Sequence, residues 1–119
     1  MKRILIAVLT VAMVFATAST CLAYDDGARE VGTYYNGSFS KAWEKVFRDT
    51  KHDTVITYGY NTVLINEDYC YCVQTALPHW AELENGKGWH YGATKAAGKS
   101  SNIEVTHSGS RIVYYCCWS

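Results

Sequence analysis

The sequence is poor in several residues and patterns that whole classes of protein depend on. It contains 1 proline and 2 methionines in 119 residues. After residue 23, no apolar stretch approaches the roughly 20 residues that a membrane-spanning helix needs. The formal net charge is +0, and no segment concentrates lysine and arginine. There is therefore no electrostatic argument for binding nucleic acid or an anionic membrane surface.

Known catalytic and metal-binding spacings are missing as well. Ser108-Gly109-Ser110 lacks the flanks of a Gly-x-Ser-x-Gly elbow, and Gly98-Lys99-Ser100 lacks the upstream glycine of a phosphate loop. Glu82 and Glu84 are close neighbours in one segment, whereas a glycosidase pair must face a cleft from two elements. No histidine has a partner at metal-ligand spacing; the four are His52, His79, His90 and His107. We therefore expect a protein that is not an enzyme and uses no metal or cofactor.

The first 23 residues have the layout of a secretory signal peptide. Met1-Lys2-Arg3 is basic, residues 4–18 are apolar, and Cys21-Leu22-Ala23 ends a stretch of small residues. The alternatives are a retained membrane anchor and a lipid-modified Cys21. We predict cleavage after Ala23, which divides the chain into a signal peptide, 1–23, and a single secreted, extracellular domain, 24–119.

Four cysteines remain after cleavage: Cys70, Cys72, Cys116 and Cys117. An even number of cysteines in an exported domain predicts disulfides, with a zinc site as the alternative. Three pairings are open. Cys70 and Cys72 share one face of a strand, whereas Cys116 and Cys117 face opposite ways and would form a strained ring, so bridges between the two clusters are favoured. Each bridge would close a loop of roughly 45 residues and contribute about 3–4 kcal/mol.

Aromatic and β-branched residues dominate the predicted domain and favour strands. We predict strands at 31–37, 54–60, 69–75, 89–95, 102–107 and 110–118, with 62–65 continuing the second and 77–88 forming a loop or hairpin connection. Phe39, Ala42, Trp43, Val46 and Phe47 instead have the spacing of an amphipathic helix over 39–47. The expected fold is mostly β: a small antiparallel β-sandwich, stapled by disulfides, with one short helix.

The tyrosines and tryptophans are the main candidates for a binding surface. The chain has 10 tyrosines and 4 tryptophans, and many occur as adjacent or alternate pairs within predicted strands. Such rings fill the faces of a thin two-layer domain. Where they are exposed, they form a stiff amphipathic platform for a sugar, a lipid-linked headgroup or another subunit.

Two segments resemble the lactococcin 972 family of secreted bacteriocins. The first is Gly32-Thr33-Tyr34-Tyr35-Asn36-Gly37, followed by residues 43–47 and then by Thr50-Lys51-His52. The second runs from Gly88-Trp89 to Tyr114-Tyr115, with Trp118 near the end. The resemblance implies a compact β-sandwich, secretion, and antibacterial action at the cell wall of related Gram-positive bacteria. It also implies a dedicated immunity transporter.

These observations together predict a bacteriocin-like protein that binds a component of the target cell envelope, such as a wall precursor, without catalysis. We expect Tyr34, Tyr35, Trp43 and Trp89 to make the contacts, by stacking or apolar packing. A homodimer is compatible with this interpretation, and nucleic acid is not expected as a partner. The alternative is a non-toxic extracellular binding module, either a carbohydrate-binding or an inhibitor domain.

Overall fold

The structure, a computed structural model, describes residues 29–118. The predicted signal peptide, its cleavage site and Cys21 lie outside these residues. The described part contains eight β-strands and one 3-10 turn at Thr50–His52. The strands are β1 (Arg29–Asn36), β2 (Trp43–Asp49), β3 (Thr54–Asn61), β4 (Glu67–Gln74), β5 (His79–Asn85), β6 (Gly88–Tyr91), β7 (Ser100–Thr106) and β8 (Arg111–Trp118). Within 29–118, no helix has the length and apolar character needed to cross a membrane.

The strands form two antiparallel four-stranded sheets that pack face to face. Sheet 1 has the order β1-β8-β5-β6, and sheet 2 has the order β2-β3-β4-β7. Side chains of alternate residues meet between the sheets, as expected from the two-residue period of a strand. The core includes Ile56 and Tyr58 of β3, Leu83 of β5, and Ile112 and Tyr114 of β8. The predicted antiparallel β-sandwich is therefore confirmed.

The helix predicted over 39–47 is wrong, because this segment enters sheet 2 as strand β2. Trp43 pairs with Tyr60 and Asp49 with Thr54, in an unbroken antiparallel ladder. Phe39, Trp43 and Phe47 pack against the core as expected. Their four-residue spacing fits a strand as well as a helix, because four is an even number. A nine-residue helix is marginal in water, so pairing with β3 decides the structure.

The connection predicted over 77–88 is also wrong, since most of it forms β5, a central strand of sheet 1. Ala81 and Leu83 face the sandwich core. Trp80, Glu82 and Glu84 take the alternate positions and are buried too. The two glutamates made this segment look like an exposed loop, although the alternation of a strand is present.

The cysteines do not form the two predicted bridges between the clusters in this structure. Cys70, Cys72 and Cys116 are buried free thiols in the core between the sheets. Cys117 lies on the other side of sheet 1. The predicted opposite orientation of Cys116 and Cys117 is confirmed, and this orientation keeps Cys117 away from Cys70 and Cys72.

Candidate functional site

Tyr35 and Trp43 are brought together at one end of the sandwich. Tyr35 lies near the end of β1 in sheet 1, and Trp43 begins β2 in sheet 2. The chain crosses from one sheet to the other through residues 37–42. This short crossing places the two ring centroids 4.1 Å apart, with their planes inclined by 31°. The close approach follows from the topology, because consecutive strands lie in different sheets.

A pocket of about 280 Å³ opens beside these rings. The ring of Tyr35 forms one wall, and its hydroxyl donates to the carbonyl oxygen of Ser38 at 3.2 Å. The Nζ atom of Lys45 lies 5.8 Å from the Tyr35 ring centroid. Two aromatic rings, two serines and two lysines therefore line the same opening. The lining residues are Tyr35, Ser38, Ser40, Lys41, Ala42, Trp43 and Lys45.

Further rings support the pocket from behind. Phe39 meets Tyr35 edge to face at 5.2 Å and Tyr60 at 5.2 Å between centroids. On its other side, Phe39 contacts the ring of His107 at 4.3 Å. Such aromatic pairs stabilise a structure by about 0.5–1.5 kcal/mol beyond their burial. The cluster therefore holds the crossing segment, and with it the pocket wall, in one place.

A buried polar network fixes His107 beneath this cluster. Asp68 is fully buried, and its carboxylate oxygens lie 2.7 Å from Nδ1 of His107 and 2.9 Å from Nδ2 of Asn85. Nδ2 of Asn85 also donates to the carbonyl oxygen of Thr106 at 3.0 Å. Asn85 belongs to sheet 1, while Asp68 and Thr106 belong to sheet 2. The network therefore joins the two sheets at the pocket end.

The Asp68–His107 pair has the arrangement that orients a general base in hydrolases. Such a base needs a nucleophilic hydroxyl or thiol within hydrogen-bond reach. Among residues 29–118, no hydroxyl or thiol forms a hydrogen bond to His107. The contacts of Asp68 to Asn85 and to His107 hold this ring in place at the pocket end. Asp68 and His107 are 39 positions apart, and no local spacing in the sequence could have linked them.

The other two predicted contact residues do not join the pocket. Tyr34 is 55% exposed on the opposite face of β1, where the Arg111 guanidinium lies 4.0 Å from its ring centroid. Trp89 is only 7% exposed and stacks on Tyr115, with centroids 5.8 Å apart. Tyr34 and Tyr35 are adjacent in the sequence, which suggested that both belong to one aromatic surface. Successive side chains of a strand point to opposite faces, however, so the two tyrosines lie on different faces of β1.

Glu82 and Glu84 are buried on β5, on the face of sheet 1 turned away from sheet 2. Trp80 Nε1 donates to Glu82 Oε2 at 2.6 Å. Burial raises the pKa of Glu84 to about 7, against the opposing influence of the Arg111 charge. Within the described 90 residues, no three His, Cys, Asp or Glu side chains are grouped so that they could hold a metal ion.

Neither a family model, nor a curated protein, nor a solved structure matches this chain. The resemblance to the lactococcin 972 family therefore stays a prediction from the motifs. The proposals below depend on the geometry of the site together with those motifs.

Proposed function

We propose that this protein is a secreted antibacterial protein that binds a sugar-containing component of the cell envelope of related Gram-positive bacteria. Binding takes place at the pocket beside Tyr35 and Trp43, without catalysis. The observation that carries the proposal is this pocket, which combines two adjacent aromatic rings with polar and cationic side chains. The signal-peptide layout and the bacteriocin-like motifs support its extracellular, antibacterial setting.

The chemistry of the pocket suits a sugar that bears an anionic group. A sugar ring presents an apolar face of C–H groups, which packs on an aromatic ring, and an edge of hydroxyl groups, which needs hydrogen-bond partners. Tyr35 and Trp43 supply the aromatic surface for the apolar face of the sugar, and Ser38 and Ser40 supply hydrogen-bond partners for its hydroxyl groups. Lys41 and Lys45 add positive charge at the opening, where a carboxylate or phosphate on the sugar would be stabilised.

The first test is co-sedimentation of the purified exported protein with isolated cell walls. Lys41 is exposed and makes no core contact, so Lys41→Glu keeps the fold while reversing one charge of the pocket. We expect the affinity for cell walls to fall by about tenfold, which corresponds to a loss of roughly 1.4 kcal/mol of binding free energy. Trp43→Ala should lower it further, with folding checked by its thermal midpoint.

Tyr34→Ala is the matched control, because Tyr34 is an exposed tyrosine that is adjacent to Tyr35 in the sequence but lies on the other face of β1. Its affinity for cell walls should equal that of the wild type. If Tyr34→Ala weakens binding and Lys41→Glu does not, the binding site is elsewhere and the pocket is not the site of recognition.

A growth-inhibition assay separates the antibacterial proposal from the alternative, a non-toxic binding module with the same pocket. The exported protein is spotted on lawns of related Gram-positive strains. Zones of inhibition that Lys41→Glu reduces support the antibacterial function. Binding to walls without any zone supports the binding module, and absence of both effects contradicts the pocket-based proposal.

A further inference from the structure

The loop between β3 and β4 exposes three consecutive aliphatic side chains. Val63 is 84% exposed, Leu64 is 93% exposed and Ile65 is 53% exposed. Three of the six large exposed hydrophobic residues among 29–118 are therefore adjacent in one loop of five residues, 62–66. Isolated exposed apolar residues need no explanation, but a contiguous group marks an interaction surface.

The turn itself does not require these residues. The β3–β4 ladder is complete up to the Asn61–Glu67 pair. At its far side the loop is held by its backbone, because the His107 amide donates to the Asn66 carbonyl oxygen at 2.8 Å. Polar residues and glycine are the usual choice for such a connection. The aliphatic side chains thus serve neither the core nor the turn.

The loop lies at the same end of the sandwich as the pocket. Tyr60, two residues before the loop begins, pairs with Trp43. The loop side chains also border an open depression of about 520 Å³ together with Asn61, Glu67 and Glu104. An apolar tip therefore stands on a polar base, beside the proposed sugar-binding pocket.

We propose that Val63, Leu64 and Ile65 insert into the lipid bilayer of the target cell and bring the pocket to the membrane surface. Membrane insertion extends the proposed function, and it depends on that proposal for the nature of the target. It implies that the protein binds its sugar-containing ligand in the part of the envelope that lies next to the outer face of the membrane.

A bilayer fits this tip better than a protein partner does. A standard protein interface buries roughly 800 Å² on each partner, far more than three side chains supply. A bilayer accepts a narrow apolar tip without any matching shape, and it keeps the polar base in the headgroup region. Glu67 and Glu104 at that base would repel anionic lipids rather than attract them, so the binding should be apolar, reversible and insensitive to salt.

The test is co-sedimentation of the exported protein with vesicles of phosphatidylcholine, whose surface carries no net charge. Leu64→Asp places a charge at the most exposed point of the tip, where it has no core contact to lose. We expect the partition coefficient to fall by at least about tenfold. Val63→Asp should have a similar effect, and raising the salt concentration should not release the wild type.

Leu77→Asp is the matched control. Leu77 is also an exposed leucine, at 40%, but it lies in the β4–β5 connection at the opposite end of the sandwich. The Leu77→Asp variant should bind vesicles as strongly as the wild type does. The proposal is overturned if the wild type does not sediment with vesicles, or if Leu64→Asp and Leu77→Asp behave alike.

The two proposals fail separately. Leu64→Asp should leave binding to isolated cell walls unchanged, and Lys41→Glu should leave binding to vesicles unchanged. If gel filtration instead shows self-association of the wild type that Leu64→Asp abolishes, and vesicles are not bound, the tip is a contact between copies of the chain and the membrane proposal is wrong.

Discussion

Trp89 and Trp43 are chemically identical side chains that the fold uses in different ways. Trp43 lies half-buried beside the pocket, while Trp89 is buried between Tyr115 and its neighbours on sheet 1. The sequence presents both as tryptophans in aromatic segments, so residue type alone could not distinguish them. The two tryptophans differ in which strands lie beside them, and this depends on pairing between distant segments.

Trp89→Ala should therefore act on stability. Removing a buried indole leaves a cavity and forfeits its packing, at a cost of about 3–5 kcal/mol. We expect a much lower thermal midpoint, measured by circular dichroism, and unchanged affinity for cell walls at a temperature where the variant is folded. A thermal midpoint close to that of the wild type, together with lost affinity, would instead make Trp89 a ligand contact.

At the scale of the element, most strands could be predicted. The continuation predicted at 62–65 is wrong, because these residues form the loop between β3 and β4. The failures at 39–47 and 77–88 have one cause. Segments such as 69–75 and 110–118 are rich in aromatic and β-branched residues and have a single interpretation. Segment 39–47 fits two periods, and the glutamates of β5 look solvent-exposed although both faces of that strand are buried. Local pattern shows what a segment can form, but its partner strands decide which form it takes and which faces it buries.

The buried face of β5 has a pH-dependent consequence. Glu84 has a pKa raised to about 7 by burial, above its ordinary value of 4.5. The folded state therefore binds the proton more tightly than the unfolded state. The resulting contribution to stability is present below pH 4.5 and is lost as the pH rises through about 7.

We therefore expect the thermal midpoint to fall as the pH rises from about 4.5 to about 7, all else being equal. Glu84→Gln mimics the protonated side chain and should flatten this part of the profile. Glu67→Gln, at the half-exposed start of β4, is the control and should leave the slope unchanged. A Glu84→Gln profile parallel to the wild type would show that Glu84 is not the group responsible.

At the scale of the whole molecule, the site depends on what holds the two sheets in register at the pocket end. Tyr35 belongs to sheet 1 and Trp43 to sheet 2, so any shift of one sheet over the other would separate the rings. The Asp68–Asn85 hydrogen bond crosses between the sheets there. The pocket could be anticipated only in part from the sequence: the aromatic residues were identified, but the buried polar network that fixes them was not.

The sulfur atoms offer a second connection between the sheets. Cys72 on β4 and Cys116 on β8 are in hydrogen-bonding contact, and this contact together with burial raises the pKa of the Cys72 thiol well above its usual range. The Cys70 thiol instead approaches the Tyr115 carbonyl oxygen at 3.8 Å. Of the bridges predicted between the clusters, we therefore favour Cys72–Cys116.

We expect oxidised glutathione to join Cys72 and Cys116. Each thiol gives up one proton and one electron, the glutathione disulfide is reduced to two thiols, and the protein loses about 2 Da. Because little thiolate forms in the core, the reaction should be slow in the native state and faster under mildly denaturing conditions. Peptide mapping by mass spectrometry identifies the bridge, which should stabilise the fold by about 3–4 kcal/mol.

Two single variants distinguish this pairing from its alternatives. Cys70→Ser should still lose 2 hydrogens on oxidation, because Cys70 is a free thiol outside the pair. Cys72→Ser should not, and it should lack the gain in thermal midpoint. A bridge between Cys70 and Cys116 in the wild type would contradict the pairing. Oxidation that raises stability without altering cell-wall binding would show that the bridge supports the sandwich, while the buried polar network alone suffices to hold the pocket.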